Sequence, residues 1–210
     1  PVTLPDFGGA EFDAYLTFNG SLCYAGADTI YSRPINGADL QRLIQNAASL
    51  GRPVAAATRE RIAANGTDTD LADYFAIANE KPDLTADFDA VCRQPVYQLM
   101  LGCRANDYPA ILQGVSGAKI AAWWDRAVDV IPADGGKGIG IKKVLAYYGL
   151  DKSQALAFGD GNNDMEMLEV VGTGVAMANA SPELKVLADA VCPSVAEDGI
   201  WQYCTAHGLI

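Results

Sequence analysis

Histidine is almost absent from this chain of 210 residues: His207, near the C-terminus, is the only one. One imidazole in that place leaves neither a histidine-based catalytic triad nor a zinc cluster to build. The cysteines Cys23, Cys92, Cys103, Cys192 and Cys204 form no Cys-x-x-Cys pair. Scattered through mostly apolar surroundings, they read as buried free thiols in a reducing cytoplasm rather than as a disulfide framework. Long apolar runs are missing too. No segment approaches the roughly 18 continuous apolar residues of a membrane span, and no basic start leads into an apolar stretch as in a signal peptide. Positive charge is scarce, with a formal net charge of −11 at pH 7 and no basic stripe. Phosphate contacts dominate nucleic-acid binding, so nucleic acid is not an expected partner. Internal repeats and low-complexity tracts are also lacking, and the length suits one large domain or two small ones.

Of what is present, residues 156–165 (LAFGDGNNDM) are the most informative. The apolar run 155–158, bounded by Gly159, predicts a buried strand whose C-terminal end delivers Asp160 into a crevice, with a helix beginning near Met165 and Leu168. Asp160 and Asp164 repel each other unless a cation or a dipole lies between them, and hard oxygen ligands of this kind suit Mg²⁺. A helix-loop-helix calcium site would need glycine at the sixth position and glutamate at the twelfth; Met165 and Val171 stand there instead. Upstream, residues 128–131 predict another apolar strand, followed by Pro132-Ala133-Asp134-Gly135-Gly136-Lys137-Gly138. Ile141, Val144, Leu145 and Tyr148 then recur at helical spacing up to Gly149, which places Lys137 at or just before a helix N-terminus. A cation there opposes the helix dipole, an arrangement that makes sense if an anion is also held there. Taken singly, an acidic turn and a surface lysine are ordinary features. Together they point to a phosphate-handling metal site.

Lys137 in its glycine-rich loop and the strand end Gly159-Asp160-Gly161-Asn162-Asn163-Asp164 come in an order that the downstream segments Gly174-Val175-Ala176-Met177-Ala178-Asn179-Ala180 and Glu197-Asp198-Gly199-Ile200 continue. The set resembles the haloacid dehalogenase (HAD) superfamily, and within it the Cof-like sugar-phosphate phosphatases. The resemblance is strong over 127–201, legible over 13–34 and only architectural between them. The third motif of that family is a lysine, matching Lys137; the fourth is Gly-Asp-x-x-Asn-Asp, matching Gly159, Asp160, Asn163 and Asp164. The resemblance implies phosphoryl transfer through a covalent aspartyl-phosphate, with Mg²⁺ as cofactor and a small phosphorylated metabolite of the sugar-phosphate class as substrate. A carboxylate attacking a dianion needs its repulsion cancelled, which a metal cation and an ammonium accomplish. By the same resemblance Asp160 is a metal ligand, and Asp164 is either a ligand or a supporting carboxylate. Asn163 binds phosphate or orients the loop, and Lys137 neutralises the nucleophile and the phosphoryl group. Asn19, in an Asn-Gly pair after a strand, lies near the phosphate in the family or is simply a turn residue.

The family's first motif, an apolar strand ending Asp-x-Asp-x-Thr that supplies the nucleophile and the general acid, has no match in this sequence. Asp68-Thr69-Asp70 and Asp87-Phe88-Asp89 do not follow buried strands. Thr58, after the apolar run 53–57, imitates the second motif, but no first motif precedes it. The expectation is an N-terminally truncated phosphatase that is inactive as written. Two alternatives are a phosphate- or metal-binding fragment without catalysis and a phosphomutase of the same fold.

The expected fold class is α/β: a Rossmann-like HAD core, a parallel sheet with flanking helices that is N-terminally incomplete, carrying an inserted α+β cap. Residues 1–33 and 127–210 are assigned to the core and 34–126 to the cap. Strands are predicted over 13–18, 22–25, 29–32, 53–57, 98–103 and 118–124, and helices over 38–50, 67–80 and 108–113. Trp123 and Trp124, as neighbours on a strand, are expected on opposite faces. Ser181 and Pro182 predict the N-cap and first position of another helix. Gly138-Ile139-Gly140 lacks the third glycine of a dinucleotide fingerprint.

Overall fold

Gly20 and Gly26 punctuate the first apolar stretch, and around them the chain builds an antiparallel sheet of β1 (Tyr15–Thr17), β2 (Leu22–Ala25) and β3 (Asp28–Ser32). The computed structural model describes residues 11–210, so the assignment of 1–10 to the core lies outside the described residues. Between β1 and β2, Phe18 and Asn19 both take left-handed backbone angles, each with φ 52°. Asparagine tolerates that region, but phenylalanine rarely adopts it, so the turn must be held from outside. The Phe18 ring stacks on Tyr97 with centroids 5.6 Å apart, and Asn19 Nδ2 donates to Gln98 Oε1 at 3.0 Å and Asp129 Oδ2 at 2.8 Å.

The first of two compact units, Pro1–Gly136, continues with α1 (Gly37–Ser49), β4 (Val54–Thr58), β5 (Ile62–Ala64), α2 (Thr69–Ile77), α3 (Phe88–Val91), β6 (Val96–Gly102), α4 (Tyr108–Ile111), β7 (Ala118–Ala121) and β8 (Ala127–Pro132). The five strands β4 to β8 form one antiparallel sheet in the order β5-β4-β6-β8-β7. Strand alternation divides its core. Leu99, Leu101, Val128 and Val130 pack with Leu40, Leu43 and Ala47 of α1, while Ala55, Ala57 and Met100 pack with Leu71 and Phe75 of α2.

Two expectations need correction. The strand at 118–124 stops at Ala121, and Trp123 and Trp124 do not take opposite faces: their rings stack, 6.4 Å between centroids and 23° between planes. Past Ala121 the chain has left the strand, so alternation no longer applies, and Tyr74 packs against Trp123 while the Arg126 guanidinium lies over Trp124. The apolar strand at 128–131 does form, as β8, but it pairs with β6 and β7 rather than with a parallel core strand.

The second unit, Lys137–Ile210, alternates helix and strand: α5 (Lys137–Tyr148), β9 (Leu156–Gly159), α6 (Met165–Val170), β10 (Thr173–Met177), α7 (Pro182–Leu187), β11 (Ala190–Cys192) and α8 (Gly199–Ala206). Its sheet is parallel, in the order β11-β10-β9. Ala157 and Ala176 face Leu168 and Leu184 of α6 and α7, whereas Val175, Met177 and Phe158 face Tyr203 of α8. Helices therefore cover both faces, as parallel strands require. Among the described residues no helix is long and apolar enough to cross a membrane.

Candidate active site

Parallel strands deliver side chains at their carboxyl ends, and β9 and β10 end side by side, with Gly159 opposite Ala176. After Gly159 the chain turns through Asp160 and Gly161 into a short 3-10 turn, Asn162–Asp164, and then into α6. Glycine at 159 permits this return, because a Cβ there would stand 2.7 Å from Asp164 Cβ. Asp164 is buried, with its side chain 8% exposed. Its Oδ2 accepts the backbone N–H groups of Asp160 and Gly161, each at 3.1 Å, and its Oδ1 accepts from the Lys137 ammonium. Lys137 is the first residue of α5, held there because Gly138 lets that turn press against α6: a Cβ at Gly138 would lie 2.5 Å from the Glu166 carbonyl oxygen. The anion that reconciles a lysine with a helix N-terminus is thus, first of all, the Asp164 carboxylate. An ammonium carries three donors, so this contact does not exhaust it.

Asp160 is exposed, and its Oδ2 accepts from Asn179 Nδ2 at 3.0 Å. Ser181 Oγ donates to Asn162 Oδ1 at 2.6 Å while accepting the Leu184 N–H at 3.2 Å as the N-cap of α7. Asn163 sits half-buried in the 3-10 turn. Lys137, Asp160, Asn163 and Asp164 therefore belong to one loop cluster in the second unit. Asn19 belongs to the first unit, where both donors of its amide are engaged by Gln98 and Asp129. Thr58 is buried and closes the β4–β5 turn, its Oγ1 donating to the Arg61 carbonyl at 3.0 Å. Asp68 caps α2, accepting the Leu71 N–H at 2.8 Å, and Asp87 pairs with Arg61. The contributions of Asn179 and Ser181 were missed at the level of sequence, although both lie in the segment after β10. The signal for them is the parallel pairing itself, which sets the residues just past Met177 beside those just past Gly159.

The donor chemistry suits Mg²⁺. Asp160 has one oxygen tied to Asn179 and the other without a hydrogen-bond partner among the described residues. Those residues contain no group of three His, Cys, Asp or Glu able to hold a metal. Mg²⁺ commonly takes only one or two carboxylates, keeps several waters and completes its shell with phosphate oxygens, so this sparse set fits it better than a fully caged ion.

A parallel sheet covered on both faces, with a lysine and two carboxylates gathered at its carboxyl end, defines an α/β protein whose charged side chains cluster where the strands end. The chain belongs to the haloacid dehalogenase-like hydrolases, whose family model matches residues 6–203. It is 34% identical over 198 residues to YkrA of Bacillus subtilis, named as a phosphatase, covering 94% of this chain and 76% of YkrA. It is 31% identical over 118 residues to the 5-amino-6-(5-phospho-D-ribitylamino)uracil phosphatase YitU of the same organism, covering 52% of this chain and 43% of YitU. Among solved structures, the HAD subclass IIB sugar phosphatase BT4131 superposes with a TM-score of 0.85 at 24% identity, covering 94% of this chain and 76% of that one. By family the chain is of the HAD phosphatase type.

Proposed function

We propose that this chain carries the metal- and phosphate-binding loops of a Mg²⁺-dependent phosphatase acting on a small phosphorylated metabolite of the sugar-phosphate class. The observation that carries the reading is the placement of Lys137, Asp164 and Asp160 together where β9 ends. Asp164 has both oxygens engaged, so it serves as the supporting carboxylate that shapes the loop and positions the Lys137 ammonium. Asp160 is the ligand with an open oxygen, and Asn163 hydrogen-bonds phosphate. Mg²⁺, when bound, supplies positive charge against the phosphoryl oxygens. In the full reaction a nucleophilic carboxylate bonds to phosphorus as the ester oxygen leaves with a proton from a general acid. Water then attacks that phosphorus, releasing inorganic phosphate and restoring the carboxylate. Within the first unit, the Asn19 amide is committed to Gln98 and Asp129.

Residues 34–126 form the cap in this reading, and the pairing of β8 with β6 and β7 supports extending it through Pro132. The crossovers on either side of it meet at an ion pair between Arg33 and Asp134. Cytoplasmic residence is supported by free cysteines at all five positions, with burial pushing the thiols of Cys23, Cys92 and Cys103 up to about 11.

The sequence contains no Asp-x-Asp-x-Thr, so residues 1–210 alone are expected to bind Mg²⁺ and phosphate without turnover. That lack also favours the second reading, a binding fragment without catalysis. Release of inorganic phosphate from a panel of sugar phosphates separates the two. It is measured with and without Mg²⁺, on this chain and on one preceded by a strand ending Asp-x-Asp-x-Thr and the strand that follows it in the family. Activity restricted to the extended protein supports the phosphatase. Turnover by the 210-residue chain contradicts its inactivity, and silence in both forms contradicts the phosphatase.

A further inference from the structure

We infer that Asn179 is a positioning residue for the metal-binding carboxylate: its amide fixes Asp160 so that one carboxylate oxygen stays directed to Mg²⁺. This rests on the reading of Asp160 as the metal ligand. Asp160 is an exposed aspartate at a strand end, and such a side chain ordinarily samples several rotamers. Here the residue is fixed at two points. Its backbone N–H is held by Asp164 Oδ2 at 3.1 Å, and its side-chain Oδ2 by Asn179 Nδ2 at 3.0 Å. One oxygen is left for a cation, and the rotational freedom that binding would otherwise remove is already restricted.

The placement of Asn179 follows from the fold. β10 is the parallel neighbour of β9, and after Met177 the chain turns tightly, with the Ala180 N–H donating to the Met177 carbonyl at 2.9 Å. Asn179 is thereby presented beside the end of β9. Two residues on, Ser181 repeats the arrangement by holding Asn162 at 2.6 Å while it caps α7. The segment 179–181 is therefore a strap that ties the start of α7 to the metal loop at two points. A neutral amide suits its position better than lysine or arginine would, because it orients the carboxylate without adding a charge that competes with the metal.

The test is Mg²⁺ affinity of the full 210-residue chain by titration calorimetry, with melting temperature read in parallel, for the wild type, Asn179→Ala, Asn179→Leu and Asp160→Asn. Leucine keeps the branching of asparagine and removes the donor. Partners that orient a ligand typically contribute about 10–100-fold to metal affinity, so both Asn179 variants are expected to bind Mg²⁺ at least about tenfold more weakly at nearly unchanged melting temperature. Asp160→Asn should abolish binding. Loss in Asp160→Asn with both Asn179 variants equal to the wild type would overturn the role of Asn179 and leave the metal site standing. Weakening by alanine alone would trace the effect to packing and overturn it as well. Equal affinities of the wild type and Asp160→Asn, or no binding by either, would remove the metal reading and this inference with it.

Discussion

Asp164→Ala is expected to lower the folding stability of the chain by about 3 kcal/mol, the scale for breaking a buried ion pair by removing one partner. The carboxylate serves three donors: the Lys137 ammonium and the backbone N–H groups of Asp160 and Gly161. Without it, a half-buried ammonium faces the positive end of α5 and two loop N–H groups lose their acceptor. Lys137→Met should be much milder, because the carboxylate keeps both backbone bonds and the helix loses an unfavourably placed cation. Urea denaturation of the two variants measures the difference. Equal losses would mean that the loop bonds contribute little and that the ion pair alone matters.

The second large effect lies in the first unit and concerns acid. Asp70 is buried at the start of α2, where Arg104, Arg126 and Arg52 converge on its carboxylate at 2.8, 2.9 and 3.1 Å. The hydrogen bond from Arg104 is the largest of the influences that, against the cost of burial, lower its pKa from 3.8 to about 2. A carboxyl group whose folded value is depressed contributes stability that is fully present above its unfolded value and is lost as pH falls through the folded one. The contribution at neutral pH is about 2 kcal/mol at most, since each pKa unit corresponds to about 1.4 kcal/mol and the arginines are partly exposed to solvent and salt. Asp70→Asn should therefore be destabilised by up to about 2 kcal/mol at pH 7, and the gap to the wild type should close as pH falls from about 4 toward 2. Denaturation midpoints of both proteins across that window check this. A gap that stays constant down to pH 2 would show that the network acts through shape and not charge.

Beyond these effects, the network explains how the first unit fixes α2. Arg126 bonds both Asp70 and Asp73 while its guanidinium lies over Trp124 of its own loop, and Trp123 packs on Tyr74, so the loop after β7 is tied to α2 by charge and by an aromatic contact. None of this was legible in the sequence. In the sequence Asp68-Thr69-Asp70 is only a pair of carboxylates that follows no buried strand; in the structure Asp68 caps α2 and Asp70 pairs with Arg104. The partners, however, flank three strands: Arg52 precedes β4, Arg104 follows β6 and Arg126 precedes β8, up to 56 residues away in the chain.

Local pattern did determine much of the molecule. Apolar residues at helical spacing marked α1 and α5, the run before Gly159 marked β9, and Ser181-Pro182 marked the start of α7, because each depends on neighbours within a few residues. The order of Lys137 and the Gly-Asp-x-x-Asn-Asp loop was enough to point to the family, since spacing along a strand-turn-helix unit fixes which side chains meet at its end. Only the tertiary structure decided what lies between units of sequence. It paired β8 with β6 and β7, stacked Trp123 on Trp124, committed Asn19 to Gln98 and Asp129, and set Asn179 against Asp160. Strand partners and side-chain ties across tens of residues depend on which surfaces the whole chain buries together, and hydrophobic periodicity carries that information only as a face and never as a partner.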